Sequence, residues 1–107
     1  SRIKTYIGGG TQWQSVKTSN YTATAGQGVF MNTTSGALTL TLPASPSIGD
    51  EVTFVDYAGT FDSNNLTIAR NSSKIHGAEE DLTVAVERAA NTLVFTDSTQ
   101  GWLLKSK

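Results

Sequence analysis

Few side chains in this sequence suit acid–base or nucleophilic chemistry. His76 is the only histidine. Ser72 and Ser73 lie near it and aspartates recur along the chain, so the members of a Ser–His–Asp triad are all present. No serine, however, sits in a Gly-x-Ser-x-Gly elbow, the strained turn that presents a nucleophile. A lone histidine beside Gly77 is read as structural or solvent-facing. Asp50-Glu51 and Glu79-Glu80-Asp81 are the acidic groups, too scattered to set two carboxylates across a glycosidic bond. Asp56, Asp62, Asn64 and Asn65 carry oxygens that suit Ca²⁺. Their spacing is not Asp-x-Asp-x-Asp-Gly, and such residues are the usual turn formers. Gly8-Gly9-Gly10 is not followed by the Gly-Lys-Ser/Thr of a phosphate loop. The expectation is a non-catalytic chain, with no metal and no cofactor.

The aromatic residues offer a different chemistry. Trp13, Tyr57, Phe61 and Trp102 have faces on which a sugar ring can stack. The two tryptophans are expected in the core of a small β domain. Tyr57 and Phe61 lie in a glycine-containing connection and are the candidate glycan contacts. Asn20, Asn32, Asn65 and Asn71 each begin an Asn-x-Ser/Thr sequon, which chance supplies readily in a chain so rich in Asn and Thr.

Composition narrows the setting. With 107 residues the chain fits one domain and one modest core. A formal net charge of -1 and 16% charged residues give no basic footprint for nucleic acid or acidic lipid. The few Lys and Arg are dispersed, without interleaved aromatics. Ser and Thr make up roughly a quarter of the chain, far above ordinary usage. Such a neutral, hydroxyl-rich surface suits packing beside copies of itself or contact with neutral glycans. The absence of cysteine excludes disulfides and thiolate metal sites. No apolar run is long enough to span a membrane, and Ser1-Arg-Ile-Lys4 has no signal-peptide core.

The elements that would position these residues are strands. Leu38-Thr-Leu-Thr-Leu42 alternates apolar and hydroxyl side chains between the polar turn at Thr33–Gly36 and Pro43. Leu38, Leu40 and Leu42 therefore share an inward face. Further strands are expected at Trp13–Lys17 (with Trp13 and Val16 as anchors), Asn20–Ala25, Val29–Asn32, Glu51–Asp56, Leu66–Ala69, Leu82–Val86, Asn91–Thr96 and Trp102–Lys105. A short pairing segment is expected at Lys74–His76, and the last two strands should form a hairpin across Asp97–Gly101. No stretch reads as a helix. The recurring Leu-Thr pairs at 38, 40, 66 and 82 look like a repeat, but their irregular spacing argues strand chemistry rather than a solenoid. Ile3, Tyr6 and Ile7 alternate ahead of three glycines, so residues 1–10 read as an arm and hinge. An arm with exposed edges suits addition to a neighbour's sheet, which makes Ile3, Tyr6 and Ile7 candidate subunit contacts. The fold expected is all-β: a single small β-sandwich or jelly-roll-like domain of nine to ten short strands over 11–107, preceded by the extended arm.

Several stretches together carry a resemblance. Tyr21-Thr-Ala-Thr-Ala-Gly-Gln-Gly28, Asn32 through Pro46, Gly49 through Phe61 and Asn65-Leu-Thr-Ile-Ala-Arg-Asn71 resemble a β module of tailed-phage virion proteins, similar to modules of tail fibres from marine and cyanobacterial phages. Asn91 through Asp97 and Gly101-Trp102 fit the same pattern, so the likeness covers most of residues 13 to 105. It implies a structural, self-assembling, surface-displayed subunit, virion-borne or extracellular, whose partners are copies of itself. A receptor-recognition module that contacts host surface glycans is the alternative. The resemblance transfers no catalytic residue.

Overall fold

The computed structural model describes residues 10–105, and the candidate subunit contacts Ile3, Tyr6 and Ile7 lie outside them. Nine strands run in order: β1 (Gln12–Trp13), β2 (Tyr21–Thr22), β3 (Gln27–Met31), β4 (Leu38–Thr41), β5 (Glu51–Asp56), β6 (Leu66–Ala69), β7 (Leu82–Val84), β8 (Ala90–Phe95) and β9 (Trp102–Leu104). There is no helix among the described residues, and so none long and apolar enough to cross a membrane. β5 and β6 have the bounds read from the sequence, whereas the expected strands at 13–17, 20–25 and 82–86 are shorter.

The strands form two mixed sheets, β1-β3-β5-β8-β9 and β2-β4-β6-β7. From β1 to β6 the chain crosses from one sheet to the other at every step. β1, β3 and β5 are mutually parallel, as are β2, β4 and β6. Each of these three turns of chain thus lays one strand on each sheet. Antiparallel pairing begins only where β7, β8 and β9 close the stack. This is all-β and consistent with a sandwich, but the antiparallel double sheet of a jelly roll is not the pairing of β1 to β6. The expected hairpin is present as the β8–β9 pair.

The Leu-Thr echo acquires a spatial meaning here. Leu38 faces Leu66, which faces Val84; Leu40 faces Ile68, which faces Leu82. Those rows point inward, and Leu40, Leu66 and Ile68 are fully buried. Thr39, Thr67 and Thr83 line up on the other face. The pairs stack as side-by-side rungs although unequal stretches of chain separate them: Thr39 faces Thr67, and Thr67 faces Thr83. Loops of different length hid the repeat from a search for a fixed period.

The core fills the space between the sheets. Val29, Met31, Val52, Phe54, Leu93 and Trp102 come from one side and Leu40, Leu66, Ile68 and Val84 from the other, joined by Phe61 and Ile75 from connections. Each fully buried Leu or Ile contributes about 1.5–3 kcal/mol. Toward β1 the apolar core gives way to glutamines at the positions in line with it, Gln12 exposed and Gln14 and Gln27 partly buried. Gln27 Oε1 accepts the Tyr21 hydroxyl at 3.0 Å and the Thr24 N–H at 3.0 Å.

Candidate functional site

Two places on the molecule combine exposure with an organised set of groups. The first is the starting edge of the five-stranded sheet. No described residue pairs with the outer edge of β1, which begins just after Gly10. Trp13 lies across β3, where a Cβ on Gly28 would come within 2.6 Å of its ring. Its indole stacks on Phe30 with centroids 4.7 Å apart and planes at 23°, yet Trp13 remains 48% exposed. Val16 is also exposed. The expectation that Trp13 and Val16 anchor the core is therefore corrected. Trp13 falls on the outer face of an edge strand, opposite the parity of the core. Beside this edge, Lys17 Nζ sits 4.4 Å from the Tyr21 ring centroid.

The opposite edge of that sheet is covered. Trp102 N–H donates to Lys74 O, and His76 N–H donates to Trp102 O, at 2.8 and 2.9 Å. His76 Nε2 accepts the Leu104 N–H at 3.1 Å. The expected segment at Lys74–His76 is thus a cover for β9, through a bridge between Ile75 and Trp102. His76 spends its ring nitrogen on backbone, and no serine or aspartate bonds to it among the described residues.

The second place is the corner after β5. Asp56 is 1% exposed and accepts four backbone N–H groups. Gly59 and Thr60 donate to Oδ1 at 3.0 and 3.1 Å, and Phe61 and Arg88 to Oδ2 at 3.0 and 2.9 Å. Burial acts to raise its pKa, but the donors from Phe61, Arg88, Thr60 and Gly59 outweigh that and hold the carboxyl below its ordinary value. This one side chain ties the β5–β6 connection to the β7–β8 turn. Its oxygens face N–H groups rather than the space a cation needs. Asn64, also named as a Ca²⁺ oxygen, donates its Nδ2 to Thr33 O at 2.8 Å. No three His, Cys, Asp or Glu side chains gather as a metal site among the described residues.

That corner separates the two candidate glycan contacts. Tyr57 is 49% exposed, but Phe61 is fully buried, packed 6.5 Å from Phe54 between ring centroids. Phe61 is therefore corrected as a glycan contact. Its N–H bond to Asp56 turns the loop inward and drives the ring into the core. Trp102 is buried as expected, with its indole nitrogen unpaired and its ring edge-on to Phe95.

Arg88 is the residue the sequence reading passed over. It sits between Val86 and Ala89 in a turn closed by Ala89 N–H to Val86 O, with φ of 63°. Its Nη1 donates to Tyr57 O at 2.9 Å. Nothing in Glu87-Arg-Ala-Ala-Asn91 signals that placement, because the contact lies 31 residues away. An open depression of about 440 Å³ at the starts of β1, β3 and β5 is lined by Asp50 and Glu51. Both acids are already engaged, with Ser47 N–H and with Lys105 Nζ. Compared with known protein families and curated proteins, the chain matches no family model and no curated sequence.

Proposed function

We propose that this chain is a structural, self-assembling subunit of a virion appendage, tail-fibre-like, or of a similar extracellular filament. The observation that carries the reading is the inequality of the two sheet edges. β9 is covered by residues 74–77 of its own chain, while β1 presents an edge that no described residue pairs with, flanked by an exposed tryptophan. An unpaired edge is a template for another strand. The segment carrying Ile3, Tyr6 and Ile7 leads directly into it, and a second copy's segment is the partner proposed. Contacts of that kind run head to tail and give rings or open filaments. The low charge and the resemblance to phage virion modules support the same reading.

Light scattering across a concentration series tests it. Full-length protein is expected to associate, and deletion of residues 1–9 to abolish association at an unchanged melting temperature. A full-length monomer at high concentration would overturn the reading.

A second reading, recognition of host surface glycans, is favoured by one feature: Tyr57 stays half exposed on a loop that Asp56 holds still. Absence of glycan binding by the full chain would remove that reading, and binding that survives Tyr57→Ala would remove Tyr57 from the site.

A further inference from the structure

The position of Arg88 is costly. A non-glycine residue with φ near +60° carries roughly 1–2 kcal/mol of backbone strain, and this turn position favours Gly or Asn. The backbone's reason for the geometry is the Arg88 N–H bond to Asp56, which a glycine would make equally well. Ser45, Asn71, Ser72 and His76 also have positive φ, and what sets Arg88 apart is where its side chain lies. Its guanidinium is held at one end by the bond to Tyr57 O and lies against Gly59, where a Cβ would come within 2.8 Å of Nε. That leaves most of its donors without a partner among the described residues. The one ion pair among the described residues joins Lys105 to Glu51 instead. Asp56, the nearest carboxylate in the network, is buried and has all its bonds to N–H groups. The result is an oriented, exposed cation bonded to the backbone of a half-exposed tyrosine.

We infer that Tyr57 and Arg88 form a binding site for a carboxylate-bearing polysaccharide, a chain containing uronic acids. The guanidinium fork matches a planar carboxylate with two parallel hydrogen bonds. The tyrosine ring offers the apolar face on which a pyranose lies. Asp56 positions both partners: it fixes the loop after Tyr57 through three N–H bonds and the Arg88 backbone through the fourth. The inference rests on the glycan reading, to which it adds a ligand class, and it does not depend on self-assembly.

The test is affinity electrophoresis of the full chain through gels containing polygalacturonate, dextran or dextran sulfate, with melting temperatures measured on the same samples. Polygalacturonate is expected to retard the wild type, less so as salt rises. Arg88→Gly retains the N–H donor and relieves the positive φ, so it should melt no lower yet lose affinity about tenfold or more. Arg88→Lys keeps the charge without the fork and should fall between. Equal retardation by dextran would overturn the acidic ligand while sparing the glycan reading. Retardation by dextran sulfate alone would overturn the carboxylate assignment, and none in any gel would overturn both readings. Full binding by Arg88→Gly would remove Arg88 from the site.

Discussion

The two ends of this stack of strands are built on opposite plans. At the closing end, β7, β8 and β9 reverse direction, the widest side chain of the core, Trp102, sits beneath them, and residues 74–77 hydrogen-bond along the last edge. At the starting end, β1 and β2 are only two residues long each, and no described strand lies beyond them. Trp13 of β1 faces outward there, whereas Tyr21 of β2 packs against the core. A parallel stack ends either in a cover or in an edge that another strand can extend. Among the described residues this chain has one of each.

The contrast can be broken most severely at Gly101. A Cβ there would lie 2.0 Å from Lys74 O, at a φ of 74°. Gly101→Ala should cost about 3 kcal/mol, from left-handed strain plus displacement of the covering segment. Urea denaturation measures it, and a loss below about 1 kcal/mol would mean that the cover yields freely.

Asp56→Asn comes next, because Asp56 binds the third turn of chain to the β7–β8 turn. An amide cannot accept at both ends, and at neutral pH the loss should be about 2 kcal/mol. The pH dependence has a definite sign. The folded pKa lies below that of the unfolded chain, so the carboxylate's contribution is complete above the unfolded value of about 3.9. It is lost as the pH falls through the lower, folded value. Denaturation curves of wild type and variant should therefore converge in acid; a constant gap down to pH 2 would contradict this.

Trp13→Ala acts on the open end. Removing a half-exposed ring stacked on Phe30 should cost about 1.5 kcal/mol and weaken self-association well beyond what that destabilisation explains. Unchanged association would detach the aromatic pair from the interface. The smallest effect is expected from His76→Ala, about 1 kcal/mol for the acceptor lost to Leu104 N–H. Urea denaturation measures it, and an unchanged midpoint would mean that water replaces the imidazole at Leu104 N–H.

The alternation in Leu38–Leu42, Glu51–Asp56 and Leu66–Ala69 was legible because a period of two follows from the pleat alone. The β8–β9 hairpin was legible because its contacts are local. Trp13 was misread, since hydrophobicity sets the likelihood of burial but not which face of an edge strand a side chain takes. Phe61 was misread for the opposite reason: its burial comes from a backbone bond to Asp56, which no pattern of residue types announces. Arg88 left no trace in its own neighbourhood.

What the residues determined without further help is that this chain is all-β and which of its side chains alternate. They determine this because strand formation depends on near neighbours. Whether a strand runs with or against its partner, which edge stays open, and which loop residues meet were decided only in three dimensions. Those outcomes depend on contacts between residues far apart in the chain, brought together by loops whose lengths follow no period.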